Sequence, residues 1–229
     1  MKKLGILVLF VFLLTHFGYA QESDTLVCRK RLFISSPVPE QVKERMIGKS
    51  MPKTMPISFE ELRYLILPYF DFDGNVQTGE MVCHKSIAKD LLFVFRTLFR
   101  LGYPIYSIRL VDDFDGNDEA SMQANNTSCF NYRTIMGTNI LSNHAFGMAV
   151  DVNPLQNPWV RNGLVNPTNA IPYVDRSRDF LHKIDRKDAC YIVFKTKGFT
   201  WGGDWSPSKD YQHFQKLVGR RSRKPLVVE

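Results

Sequence analysis

The segment Ser142-Asn143-His144-Ala145-Phe146-Gly147-Met148-Ala149-Val150-Asp151-Val152-Asn153 constrains the fold more than any other part of the chain. Met148, Val150 and Val152 alternate with Ala149, Asp151 and Asn153. That is the period of a β-strand, so the Asp151 side chain shares a face with Ala149 and Asn153. Gly147 supplies the backbone freedom for a turn or bulge into the strand, and such a turn folds His144 back beside Asp151. An imidazole and a carboxylate brought together in this way are good ligands for a first-row metal, with zinc the usual occupant. Taken alone, such a pair is more often a surface hydrogen bond, so residues elsewhere decide its meaning.

Two further segments bear on it. In Asp210-Tyr211-Gln212-His213-Phe214-Gln215, His213 can complete a His, Asp, His set. Three protein ligands leave a position of tetrahedral zinc open, which is the arrangement of a catalytic site. Asp210 stands three residues before His213, where a carboxylate can accept a proton from water and pass it to a leaving amine. Residues three apart in a strand face opposite sides, so Asp210 is expected in a turn, with the strand starting near Tyr211. Asp204, in Trp201-Gly202-Gly203-Asp204-Trp205, is the rival base, although that segment also reads as a structural turn. In Asn126-Thr127-Ser128-Cys129-Phe130-Asn131-Tyr132-Arg133, the Arg133 guanidinium can stabilise a developing oxyanion or clamp a carboxylate. Ser128 and Tyr211 are the substrate-contact candidates, and Trp201 and Trp205 are read equally as cleft or core.

The frame around these segments reads as α+β. The chain has 229 residues, 44% hydrophobic and 23% charged, which fits one domain with an N-terminal extension and excludes both a disordered chain and a polytopic membrane protein. Net charge is +7, but no long block of like charge points to nucleic acid. Met1-Lys2-Lys3, the apolar run Leu4 to Leu14 and Gly18-Tyr19-Ala20 form a signal peptide over residues 1–20, with Gln21 as the mature N-terminus. Residues 21–57 are expected to be a loosely structured lead-in, 58–219 the folded domain and 220–229 a basic tail. Export makes two disulfides among Cys28, Cys83, Cys129 and Cys190 the favoured reading, with the pairing open.

Ser58-Phe59-Glu60-Glu61 is a capping box and predicts a helix to about Leu67. Asp71 to Asn75 is a plain turn rather than a calcium loop. Ser86 is the expected cap of the longest helix, Ile87 to Leu101, whose core face is Leu91, Val94, Phe95, Leu98 and Leu101. Ile105 to Val111 alternates like a strand, and Asp112 to Asp118 reads as a solvated acidic turn.

Ser142-x-His144-x-x-Gly147-x-Ala149-x-Asp151 with Asp210-x-x-His213 resembles the VanY-like D-alanyl-D-alanine carboxypeptidases and the related L-alanyl-D-glutamate endopeptidases. The resemblance runs from about Ile66 to Gln215 and includes Phe72-Asp73-Gly74, Asn126-Thr127-Ser128, Asp151-Val152-Asn153-Pro154 and Trp201 to Trp205. It implies a small central antiparallel sheet flanked by helices, with zinc in a cleft, as in the LAS and hedgehog-like peptidase fold. It implies His144, Asp151 and His213 as zinc ligands, Asp210 as general base and Arg133 as the arginine that polarises the scissile carbonyl. The implied substrates are peptidoglycan stem peptides. The protein is then exported to the periplasm or secreted, with no stable membrane insertion after signal cleavage, no nucleic-acid partner and a monomeric state. Relatives often carry a Cys immediately before the arginine, whereas here the Cys is at 129, so their disulfides need not transfer. The alternative is a non-catalytic wall-binding or signalling domain that keeps zinc for structure. Such a site is normally closed by a fourth protein ligand, and His84 and His182 lie outside the motifs.

Overall fold

Strand pairing begins at the first residues of the folded part. The computed structural model describes residues 33–217, so the signal peptide, Cys28 and the basic tail all lie outside the described residues. Strand β1 (Ile34–Ser36) is followed by helix α1 (Glu40–Met46). The residues after Ile34 are not a loose lead-in. β1 pairs antiparallel with β2 (Leu62–Phe70), and Val38, Val42, Met46 and Met51 are buried against Leu62, Val82, Leu110 and Phe130. The apolar spacing of this stretch is filled by partners far along the chain, which a local reading does not see.

The capping box works as a cap but not as a long helix. Ser58 accepts a hydrogen bond from Glu60 N, and the turn it caps ends at Glu61. Leu62–Phe70 then runs as a strand in full register with β3 (Val76–His84), from Leu62 opposite His84 to Phe70 opposite Val76. Leu62, Leu65 and Leu67 are buried in that sheet. The hairpin turn is the expected one, with Asp71 accepting from the amides of Asp73 and Asn75.

Helix α2 (Lys85–Arg100) covers the hairpin with Ile87, Leu91, Val94, Phe95 and Leu98. Its cap is His84, whose Nδ1 accepts from Ser86 N, rather than Ser86. Leu101 has passed the end of the helical face and is 61% exposed. The strand expected over 105–111 shrinks to β4 (Ser107–Ile108), parallel to β5 (Asn126–Thr127). Between them, Asp112 to Asp118 leads into helix α3 (Asp118–Gln123) and is not simply solvated. Asp112 is buried and accepts from Ser50 N, and Asp113 is paired with Arg45 and Arg109.

The rest of the chain is built from shorter pieces: β6 (Ala149–Asp151), β7 (Trp159–Arg161), β8 (Leu164–Asn166), α4 (Ala189–Thr196), β9 (Thr200–Trp201), β10 (Lys209–Asp210) and β11 (His213–Gln215). The fold is mixed α/β, but its antiparallel strands do not form one central sheet. Among the described residues they fall into three sheets of three strands, ordered β1-β2-β3, β10-β7-β8 and β6-β11-β9. α4 packs on α2 through Phe194, which meets Phe95 edge-on and stacks on Phe214 of β11 at 4.2 Å. The site sheet is thereby seated on the helical layer. No helix among the described residues is long and apolar enough to cross a membrane.

Cys83, Cys129 and Cys190 are free, fully buried thiols rather than disulfide partners. Burial pushes each thiol well above its usual range.

Candidate metal centre and cleft

Strand register brings the central residues together. Asp151 of β6 stands directly opposite His213 of β11. His144 lies in the one-turn helix Asn143–Phe146, capped by Ser142 and closed by Gly147 in the left-handed conformation at φ 64. Gly147 has a second reason to lack a side chain, since a Cβ there would come within 2.7 Å of His84 N. The Gly147 carbonyl accepts from His84 N at 2.8 Å, tying the site turn to the start of α2.

His144 Nε2 lies 3.1 Å from His213 Nδ1 and 3.2 Å from Asp151 Oδ2. His213 Nδ1 lies 3.0 Å from Asp151 Oδ1. All three side chains are more than nine-tenths buried. The far nitrogen of each ring shows which atom faces inward. His144 Nδ1 is 2.6 Å from the Cys129 carbonyl, which can only accept, so Nδ1 carries the proton and Nε2 a lone pair. His213 Nε2 donates to Gln215 Oε1, which also accepts from the Asn143 amide, so in the neutral ring Nδ1 keeps its lone pair. Two imidazole lone pairs and a carboxylate therefore converge. Such a cluster is repulsive unless a cation sits among its atoms, and zinc fits this donor set. Among the described residues, His144, Asp151 and His213 form the one group whose ligand atoms lie within 4.8 Å of each other. When a proton rather than a metal bridges the cluster, burial alone would raise the Asp151 carboxyl and lower His213, but their pairing prevails and holds Asp151 below and His213 above the usual range.

Asp210 is not in a simple turn before a single strand. It ends β10, which pairs with β7, and Tyr211-Gln212 bends the chain before β11. This bend lets Asp210 and His213 approach on one side, with Asp210 Oδ2 4.0 Å from His213 Nδ1. Asp210 Oδ1 is buried and has no hydrogen-bond partner. Burial, opposed by His213 and reinforced by the Asp151 charge, pushes the Asp210 carboxyl up to about 7. Asp204, the rival, instead forms an ion pair with Arg186 at 2.8 Å and is absent from the cleft lining.

The three ligand candidates and Asp210 open into a cleft of about 310 Å³. Arg133 lines it, with Nε 2.8 Å from Asp118 Oδ1, although the N–H is not aligned on the carboxylate. Trp205 forms part of the wall and sits with its ring centroid 5.1 Å from that of His213. Trp201 is core instead, its indole donating to the Tyr211 carbonyl. Ser128 and Tyr211 do not line the cleft. Ser128 exchanges backbone hydrogen bonds with Asp151, and the Tyr211 ring lies under the Arg176 guanidinium at 4.3 Å. Gln215 and Asn143, which orient His213, carry no signal of their own in the sequence beyond standing near His213 and His144.

Residues 136–216 match the family model described as D-alanyl-D-alanine carboxypeptidase. The match contains the three ligand candidates and Asp210, and it is narrower than the expected span from Ile66. No curated protein and no solved structure matches the chain.

Proposed function

We propose that the protein is a zinc-dependent peptidase that hydrolyses amide bonds in peptidoglycan stem peptides, of the D-alanyl-D-alanine carboxypeptidase or L-alanyl-D-glutamate endopeptidase type. One observation carries the enzymatic reading: a buried carboxylate oxygen without a partner, on Asp210, stands at the edge of a three-ligand cluster inside a cleft. A purely structural centre has no use for a buried carboxylate with one oxygen left unpaired, which is costly to maintain. The family match over residues 136–216 supports the same reading, as does the similarity of the ordered motifs to the LAS and hedgehog-like peptidase fold.

His144 Nε2, His213 Nδ1 and the Asp151 carboxylate would hold the zinc. Bound there, zinc supplies a Lewis acid that polarises a carbonyl and acidifies water. The Cys129 carbonyl and Gln215 fix the two imidazoles in the tautomers this requires. Asp210 takes up the proton released as water adds to the scissile carbonyl and returns it to the departing amine nitrogen. Arg133, held beside Asp118, places positive charge where the carbonyl oxygen becomes anionic. Trp205 shields one wall of the cleft from water. With export, the protein works on the cell wall from the periplasm or outside the cell, as a monomer.

The test is digestion of purified muropeptides by the mature chain, with and without a chelator, read by mass spectrometry beside the zinc content. Chelator-sensitive loss of a terminal Ala, restored by zinc, is the carboxypeptidase outcome. Release of the stem from L-Ala onward is the endopeptidase outcome. One zinc bound per chain with no bond cut would overturn the catalytic reading in favour of a wall-binding domain.

A further inference from the structure

We propose that Arg161 captures a carboxylate of the substrate on the leaving-group side of the scissile bond. The inference deepens the peptidase reading and rests on it for the identity of the ligand. Arg133 and Arg161 are the two cationic side chains among the residues that line the cleft. Arg133 is matched to Asp118. The Arg161 side chain is exposed and makes no ion pair or hydrogen bond with any described residue. Asp118, Asp151 and Asp210 also line the cleft. Arg133 and the proposed metal offset these carboxylates, so Arg161 is the guanidinium of the lining left unmatched.

The backbone delivers this guanidinium with little freedom. Arg161 is the last residue of β7 and pairs with Leu164 across the turn Asn162-Gly163. Both turn residues have positive φ, at 49° and 79°. That is the tight two-residue hairpin whose twist matches its strands, so the tip is rigid rather than a loose loop. Trp159 and Arg161 share a face of β7, and both line the cleft. Trp159 is the register partner of Asp210. Arg161 therefore begins ~7 Å along the strand from the point opposite the general base. A peptide advances about 3.5 Å per residue. On a substrate laid along β7 with its leaving group toward the hairpin tip, a carboxylate one or two residues beyond the scissile bond falls between Asp210 and the Arg161 backbone, within reach of the long side chain. The planar guanidinium then receives it through two parallel N–H donors.

The carboxylate can be the chain terminus or a side chain, and the two are separable. The probes are N-acetyl-D-Ala-D-Ala as free acid, the same peptide as C-terminal amide, and amide-capped N-acetyl-L-Ala-D-Glu, whose carboxylate is on the side chain. Binding is measured by calorimetry to the zinc-loaded Asp210→Ala chain, so that no probe is consumed. At least one carboxylate probe should bind more tightly than the amide. Adding Arg161→Gln should weaken that probe roughly 10- to 100-fold and leave the amide unchanged. Arg161→Lys should recover part of the loss, and the melting temperature should not move. Preference for the free acid assigns the terminus, and preference for the Glu probe assigns the side chain. Equal binding of all three, or acid binding within twofold after Arg161→Gln, overturns the proposal. Cleavage of the probes by the chain with Asp210 intact is read in parallel. Carboxylate-dependent binding without cleavage would remove the peptidase reading and keep the Arg161 site, and cleavage with indifferent binding would do the reverse.

Discussion

The hairpin β2–β3 with helix α2 and the cleft region from β5 to β11 are built on opposite plans. The first uses two nine-residue strands and a helix of sixteen residues, with an interior of Leu, Ile, Val and Phe. The second uses strands of two or three residues joined by bends and short helices, of which the eight-residue α4 is the longest. Its interior includes the amides of Asn126, Asn153 and Asn157. These buried amides stand in for ladder hydrogen bonds that such short strands cannot provide. Asn153 bonds Tyr106 N and the Pro104 carbonyl, and Asn157 bonds Ile184 N and the carbonyls of Asn153 and His182. Long regular elements give cohesion. Short ones leave the chain free to turn several side chains toward one point, and side-chain amides restore the cohesion lost.

This contrast is most sharply broken by a change in the cleft that leaves cohesion untouched. Asp210→Asn should lower kcat by about 10²- to 10⁴-fold, the usual share of a general base. Zinc content and melting temperature should stay as in the parent. If turnover is retained, Asp210 is not the base and the division of labour fails at its main point.

The reverse change belongs to the other region. Leu91 is fully buried on the inner face of α2. Leu91→Ala should cost about 2–5 kcal/mol of unfolding free energy, measured by denaturant titration. Activity per folded molecule should be preserved. A matching loss of kcat would mean that the helical layer also tunes the cleft.

The smallest effect sits between the two regions. Asp188 caps α4 through Cys190 N and accepts from the Tyr103 hydroxyl that follows α2. Burial raises its carboxyl to about 6, against roughly 4 in an unfolded chain. The folded state thus holds the proton more tightly. The resulting stabilisation is complete below about pH 4 and is lost as pH rises through 6, amounting to about 1–3 kcal/mol. Asp188→Asn keeps the cap and removes this titration. The difference in unfolding free energy between the two proteins should therefore change between pH 4 and 7, and a constant difference would refute the assignment.

Legibility in the sequence follows the same division. Helix α2 is visible because its apolar period lies within one window, and only its cap and its exposed last residue, Leu101, are misjudged. The strand β6 and its turn at Gly147 are visible for the same reason. β2 is hidden because its stability comes from pairing with β3 and β1, not from its own pattern. The acidic stretch 112–118 looks solvated until Arg45, Arg109, Arg133 and Ser50 arrive from elsewhere. Within the site, His144, Asp151 and His213 are legible from strand period, spacing and the resemblance of their motifs together, since a His beside an Asp means little alone. The substrate-contact candidates Ser128 and Tyr211 fail to reach the cleft because neighbourhood in sequence is not direction in space. Arg161 carries no motif and emerges only from the hairpin that presents it.

The contact at Gly147 joins the two plans backbone to backbone, with no side chain between them to act as a cushion. Elsewhere a packing error can be spread over several rotamers. At this seam a displacement of the β3–α2 corner is passed undiminished to the turn that carries His144. The cleft is thus calibrated by the scaffold at this rigid joint, and mutations that shift that corner will be read as changes in metal affinity before they are read as loss of stability.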